Sequence, residues 1–468
     1  MSVINTNVSS LIAQNALNNN NQSLQTSLQR LSTGLRINSG ADDPAGYIAS
    51  QGLQQQEVGL NTAISNAAAA NNVIGTAAGG LGEVSNLLTQ LQGLLGSAAN
   101  SGGLSTQELA ADQLQVDSIL STINRIAGST TFDGTQLLNG NLNYTTSGIN
   151  TAQLQNVQIN SALIPENASV NVAVEVTSSA KTAEVTSTQG TVSGGTVTLD
   201  VAGNLGSTQL SFASGTTVSA IAAAINEVTS QTGVSAAASG SALNVNSTQY
   251  GSSQFVSVQT VAGTYAFNQT KANGVDAAVT VNGNEATVNG LQVNYESSVL
   301  DLSLNLATAF NQPGSSTFEI TGGGAEFQLG ATVNSINTAS IGIADVSTAS
   351  LGTASDGYLN SLGSGGANSL TSGNLTTAQN ILTDAINQVS ELSGRLGAFQ
   401  ELTIGSTVDS LNVAYENAAS AESAITDTNF ASETSNLTRA QILTQSATTV
   451  LAQANAVPQE ALTLLKGA

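Results

Sequence analysis

The chain has 468 residues, enough for about three domains of about 150 residues each, and a formal net charge of −22. It contains neither histidine nor cysteine, which excludes a serine-histidine hydrolase, a thiolate nucleophile and a zinc site of the usual nitrogen and sulfur type. With 8 basic side chains against 30 acidic ones, we expect neither nucleic acid nor an anionic membrane as a partner. Aromatic residues make up only 3% of the chain, so its core must be built from Leu, Ile, Val and Ala.

Both ends of the chain carry an apolar stripe at helical spacing. The amino-terminal stripe, with steps of seven, four, three and four residues, consists of Leu17, Leu24, Leu28, Leu31 and Leu35. The carboxyl-terminal stripe, with steps of four and three, consists of Leu443, Ala447, Val450, Ala454, Val457, Ala461 and Leu464. Such stripes expose apolar surface on isolated helices, so they must pack against each other or against neighbouring molecules. Packing onto a helical core within one molecule is the alternative, but residues 1–43 contain no aromatic side chain to anchor one.

Further helical patterns lie inside these two ends. Ser105-Thr106-Gln107-Glu108 has the form of a capping box and opens a helix that we expect to end at Gly128. Apolar residues from Leu60 to Leu95 and from Leu375 to Phe399 also keep helical spacing. The predicted helices therefore form two blocks, roughly 1–128 and 372–466.

Between these blocks the period of apolar residues changes to two, as in the run from Val170 to Val176. Asn282-Gly283 and Asn289-Gly290 are tight-turn dipeptides. A single short helix beginning at Val218 is closed by Gly233. We therefore predict an α+β multidomain fold, in which terminal α-helical coiled-coil domains enclose an inserted β-rich central domain.

Charge is distributed unevenly along the chain. Residues 1–44 sum to zero and residues 421–468 sum to −2, so −20 of the total lies between them. Near-neutral arms can pack in many copies without mutual repulsion, while an acidic middle segment stays solvated. This layout is typical of a polymer subunit.

Two terminal segments resemble the signatures of bacterial flagellin. They are LQRLSTGLRINSGADDPAGYIAS (28–50) and SNLTRAQILTQSATTVLAQANAVPQEALTLLKGA (435–468). Together with STTFDGTQLLNG, which ends the 51–140 stretch, and SGRLGAFQ (393–400), they extend the resemblance to about 140 residues at each end. The central run that begins GTVTLDVAGNLG is similar to an insertion motif of the outer domains of flagellins and related filament proteins.

The resemblance implies a structural subunit that self-assembles through its terminal helices into the bacterial flagellar filament for motility. It implies export without a cleaved signal peptide to the extracellular filament, with terminal arms that become helical only on assembly. The implied partners are the chain itself as a homopolymer, hook-associated and cap proteins, and an export chaperone on the C-terminal helix. The alternative is the hook–filament junction protein of the same organelle.

The resemblance also implies a division into three domains. Residues 1–44 plus 421–468 would form an inner helical coiled-coil polymerisation domain. Residues 45–175 plus 325–420 would form a helical bundle domain with a β-hairpin, and 176–324 an outer β-rich domain. The two stripes would then be the polymerisation interface, and Arg30, Arg36 and Arg439 would make inter-helix polar contacts, with solvated surface charge as the alternative.

The sequence gives less support to an interpretation as an enzyme or a ligand-binding protein. Asp42-Asp43 is a polar turn before Pro44 rather than a calcium loop, because no oxygen-rich segment of calcium-ligand spacing follows it. The glycine clusters lack the Lys-Ser/Thr of a phosphate-binding loop. A glycosidase with two carboxylates would need aromatic platforms that the chain does not supply. We therefore predict no catalytic residue, no cofactor and no metal site.

Overall fold

A computed structural model describes residues 6–100, 103, 105–164 and 168–466, with the side chains of 461, 462 and 464–466 left undescribed. Three helices open the chain: α1 (Val8–Thr33), α2 (Pro44–Ala98) and α3 (Thr106–Ser129). In the middle lie α4 (Val218–Glu227) and α5 (Thr229–Thr232). Three helices close the chain: α6 (Leu375–Ala398), α7 (Ser406–Thr426) and α8 (Phe430–Lys466). A π-helix, Phe399–Gly405, joins α6 to α7.

Local sequence signals account for where the amino-terminal helices begin and end. Gly34, with φ of 76°, closes α1 in the left-handed conformation that glycine adopts most easily. Pro44 is the first residue of α2, a position where its missing N–H is not needed. The predicted capping box is confirmed, since the Ser105 side chain accepts from the Glu108 N–H and the Glu108 side chain accepts from the Ser105 N–H.

The middle of the chain consists of short strands in antiparallel sheets. The strands β1 to β22 span, in order, Thr131–Phe132, Thr135–Gln136, Tyr144–Ser147, Leu154–Ala162, Val170–Ser178, Thr182–Thr186, Val197–Gly203, Gly206–Phe212, Val234–Ser239, Ala242–Tyr250, Phe255–Ala262, Lys271–Asn273, Ala278–Val281, Asn284–Glu285, Thr287–Asn289, Gln292–Glu296, Leu300–Leu306, Gly314–Gly323, Ala325–Gln328, Thr338–Ile341, Gly352–Thr353 and Gly357–Tyr358. Helices flank a β-rich centre, and the predicted fold class is confirmed.

Among the described residues, two hydrophobic cores lie within the β-rich centre. One lies among the sheets β14-β13-β5-β18-β3 and β15-β16-β17-β4 and includes the buried Leu302 and Phe318. The other lies among β6-β10-β9, β12-β11-β7-β8 and α4, with Leu199 and Ile221 fully buried. The predicted single helix after Val218 is instead divided at Val228 into α4 and α5, and the predicted stop at Gly233, which has φ of 71°, closes α5. The β-rich centre thus has apolar cores of its own.

By its internal contacts the chain divides into two compact units. The first comprises Met1–Ala68, Leu329–Val333 and Gly405–Ala468. The second comprises Ala69–Gln328 and Asn334–Ile404. The first unit therefore brings together segments from opposite ends of the sequence.

Asp384 on α6 is a partly buried carboxyl in the second unit, and its pKa shows how burial affects the charge of this side chain. Burial raises its pKa above the usual 3.8, the neighbouring Asp356 raises this pKa further, and a 3.1 Å hydrogen bond from Oγ1 of Thr353 lowers it. Because the folded-state pKa is the higher one, this carboxyl's stabilising contribution is present below pH 3.8 and is lost as the pH rises through the raised pKa.

We therefore expect Asp384→Asn to raise the thermal unfolding temperature of this unit at pH 7 and to leave it unchanged at pH 3. Asparagine can still accept the Thr353 hydrogen bond but carries no charge to bury. The matched control is Glu83→Gln at an exposed position of α2 in the same unit, which should change neither temperature. An equal gain at both pH values would show that burial of charge is not the cause.

Candidate functional site in the terminal helices

The terminal helices α1 and α8 lie antiparallel to each other. Near the start of α1, Nδ2 of Asn7 donates to the carbonyl oxygen of Ala454 at 2.7 Å, and Oγ of Ser10 donates to Oδ1 of Asn455 at 2.7 Å. Near its end, Arg30 lies against Glu433. The beginning of each helix is therefore paired with the later part of the other.

Small side chains form the seam between these two helices. The buried residues of α1 are Ala13 and Ser27, and the buried apolar residues of α8 are Ala440 and Ala447. Small side chains let two helix backbones approach closely, but they remove little apolar area from water. The seam thus leaves several of the larger apolar side chains of both helices exposed, while Leu17, Leu24 and Leu31 are half-buried.

An ion pair lies beside this seam. Nη1 of Arg30 is 3.8 Å from Oε2 of Glu433, whose side chain is only 9% exposed. Nε of Arg30 is buried and has no hydrogen-bond partner among the described residues. Arg439 lines the same polar groove, which has a volume of about 580 Å³. Two guanidinium groups against one carboxylate give this groove a net positive charge.

A second set of contacts ties the turn after α1 to the turn before α8. The N–H of Arg36 donates to the carbonyl of Thr426 at 2.6 Å, and the N–H of Thr428 donates to that of Gly34 at 2.9 Å. Nη2 of Arg36 donates to the carbonyl oxygen of Ile425 at 2.6 Å, where it caps the end of α7. These bonds align the two helices as they leave the turns.

The structure also corrects the extent of the amino-terminal stripe. We predicted that Leu35 shares a helix face with Leu31, but α1 ends at Thr33 because Gly34 turns the backbone into the left-handed region. Leu35 instead forms an isolated antiparallel bridge with Asp427. It therefore belongs to the turn contacts.

The remaining stripe residues whose side chains are described divide into two groups by exposure. The half-buried or buried ones, which lie on the seam side, are Leu17, Leu24, Leu31, Ala447 and Ala454. The exposed ones are Leu28, Leu443, Val450 and Val457, each with 44–56% of its surface accessible. The side chains of Ala461 and Leu464 lie outside the described residues. The stripe thus supplies both an internal seam and an outward apolar surface.

Sequence reasoning missed a further group of exposed apolar side chains on the same two helices. They are Val8, Leu11, Ile12, Phe430 and Ile442, each 52–65% exposed. They lie off the stripe, so heptad spacing could not find them. Their signal was simply a large apolar residue in a helix otherwise rich in Asn, Gln and Ser.

Among the described residues there is no group of three or more acidic side chains that could hold a metal ion. No helix in that part of the chain is both long enough and apolar enough to span a lipid bilayer.

The Arg30–Glu433 pair gives a direct test of the antiparallel arrangement. We expect Glu433→Lys to destabilise the α1–α8 pair by about 2 kcal/mol, because it places a second cation beside a poorly solvated guanidinium. The double variant Arg30→Glu/Glu433→Lys should recover part of this loss, because it restores an opposite-charge pair although both charges then oppose the dipoles of their helices. The measurement is the temperature at which the far-ultraviolet helical signal is lost, with Glu460→Lys at an exposed position of α8 as the control. Failure of the double variant to recover would contradict the pairing.

Both ends and the centre of the chain match known protein families. Residues 4–143 match the bacterial flagellin N-terminal helical region, and residues 379–465 match the bacterial flagellin C-terminal helical region. Residues 196–249 match the flagellin hook IN motif, which here comprises β7 to β10 with the two short helices between them.

Two flagellins are similar to this chain over nearly its whole length. B-type flagellin of Pseudomonas aeruginosa is 30% identical, and the alignment covers 99% of each chain. A flagellin of Salmonella choleraesuis is also 30% identical with the same coverage. Among solved structures, FliC from Burkholderia pseudomallei is 18% identical, with a TM-score of 0.25 over 71% of this chain and 99% of that chain. On these sequence relationships, the chain belongs to the bacterial flagellin family and is a structural subunit of the flagellar filament.

Proposed function

We propose that α1 and α8 hold the filament together by burying their exposed apolar side chains against neighbouring copies. The observation that carries this proposal is the contrast between the alanine and serine seam and the leucine, isoleucine and valine side chains left outside it. Fully burying one such side chain stabilises by about 1.5–3 kcal/mol. Because the same surface repeats on every subunit, the gain repeats along the polymer.

The division into layers follows from the same idea. Residues 1–44 and 421–468 form the inner polymerisation layer, 45–175 and 325–420 the helical bundle layer, and 176–324 the outer domain. This proposal is supported by charge, since the two inner segments sum to 0 and −2 while the chain as a whole carries −22. Many copies of the inner segments can therefore pack together at little electrostatic cost.

In this arrangement the predicted arginines have distinct roles. Arg30 binds Glu433 across the helix pair, and Arg36 holds the turn before α8. Arg439 lines the positive groove, where it is available to a neighbouring copy. The stripe residues with exposed side chains provide the apolar contact area.

The filament subunit is favoured over the junction protein as the role of this chain. Its similarity to curated flagellins extends over 99% of the sequence, and both terminal helical regions match those of flagellins. The other partners that we propose are hook-associated and cap proteins at the filament ends and an export chaperone on the C-terminal helix. Export without a cleaved signal peptide, and a purely structural role without catalysis, complete the proposal.

The exposed part of the stripe is tested by Leu28→Asp. Loss of one buried leucine costs about 2 kcal/mol, so we expect the critical concentration for seeded assembly to rise by about thirtyfold or more. Gln25→Asp adds the same charge at another exposed position of α1 and should have little effect. Sedimentation of polymer at a series of protein concentrations measures both. Equal critical concentrations for Leu28→Asp and the unsubstituted chain would show that this surface is not a filament contact.

A further inference from the structure

A second candidate contact lies within the larger unit, in a cavity beside the π-helix. The cavity has a volume of about 490 Å³ and lies between the end of α6, the β16–β17 hairpin and β20. Its charged lining residues are Glu296, Asp301 and Arg395. Two carboxylates against one guanidinium leave the cavity with a net negative charge.

The two carboxylates occupy an unfavourable position for an isolated molecule. Glu296 and Asp301 lie directly opposite each other across β16 and β17, an arrangement in which like charges repel. Asp301 accepts a 3.0 Å hydrogen bond from Nδ2 of Asn160. The exposed Glu296 has neither an ion pair nor a side-chain hydrogen bond among the described residues.

Arg395 only partly relieves this repulsion. Its Nη1 donates a hydrogen bond to Oδ1 of Asn160 and lies 3.8 Å from Oε1 of Glu391, while its Nε is buried without a partner among the described residues. The positive charge of Arg395 is thus shared between Glu391 on its own helix and Asp301, with which it interacts electrostatically. Glu296 has no ion pair among the described residues, so the cavity can still accept a second cation.

Arg125 on α3 carries a positive charge that is complementary to the carboxylates of Glu296 and Asp301. Its side chain is exposed and makes neither a hydrogen bond nor an ion pair with any described residue. It does not line the cavity of its own chain. A guanidinium group can bind two carboxylates at once through its planar array of N–H donors, which a lysine ammonium cannot match.

From this charge complementarity we propose that Arg125 of one copy binds in the cavity of a second copy, against Glu296 and Asp301. The inference deepens the proposed assembly and rests on it, since it adds a polar contact outside the terminal helices. A cation in this position relieves the repulsion between the two strands that carry the carboxylates. Such a contact contributes orientation and specificity to assembly, whereas the apolar surfaces of α1 and α8 contribute most of the affinity.

The test is a charge exchange in seeded assembly of the full chain. Arg125→Glu and Glu296→Arg each place like charges together, so each should raise the critical concentration by about tenfold or more. The double variant should return close to the unsubstituted value. An equimolar mixture of the two single variants should also assemble, because alternating copies restore both opposite-charge contacts.

The matched controls are charge reversals at exposed residues that are not part of the proposed contact. Lys181→Glu replaces another exposed cation, and Glu285→Arg replaces an exposed carboxylate on β14. Both should assemble like the unsubstituted chain. Circular dichroism of the soluble proteins checks folding, and Arg125→Gln with Glu296→Gln replaces any variant that fails to fold.

Two results would overturn this contact. One is assembly of folded Arg125→Glu at the unsubstituted critical concentration. The other is a double variant that assembles no better than the weaker single variant. Failure of the unsubstituted chain itself to add to filament seeds would instead contradict the proposed function, so the two failures are distinguishable.

Discussion

The interaction on which the structure depends is the narrow seam between α1 and α8. Because its buried side chains include the small Ala13, Ser27, Ala440 and Ala447, the helices can lie close together while burying little apolar area. Leucine, isoleucine and valine side chains remain in water on the outer surfaces of both helices. A pair of helices with this composition is weakly stabilised alone, since tertiary burial supplies most of a helix's stability. The β-rich centre is the opposite case, with two closed cores of its own.

Charge reinforces this difference between the ends and the centre. Within the terminal helices, Glu433 is buried beside Arg30, and the groove that also contains Arg439 is positive in a chain of net charge −22. Acidic residues elsewhere keep most of the centre solvated and oppose its packing against the acidic centres of other copies. Assembly through the near-neutral ends therefore avoids most of the repulsion that packing the centres together would cause.

Much of this architecture could be predicted from local sequence signals. Helical spacing, the capping box at Ser105 and the helix stop at Gly233 depend on neighbouring residues only, and the structure agrees with each. Stripe spacing alone does not indicate that α1 ends before Leu35, because the left-handed backbone of Gly34 closes the helix. The contacts of Arg395 with Asn160, and of Arg30 with Glu433, join residues hundreds of positions apart, so no local pattern could indicate them. The division of the stripe into a seam and an exposed surface likewise depends on how α8 is rotated against α1.

Hydrogen exchange of the backbone amides of α1 and α8, compared between the soluble chain and seeded filaments, tests the central claim most directly. If neighbouring copies supply the missing burial, amides around Leu28, Leu443 and Val450 should exchange at least about a hundredfold more slowly in the filament, while those of the β-rich centre change little. Equal and strong protection of α1 and α8 in the soluble chain and in the filament would contradict the account.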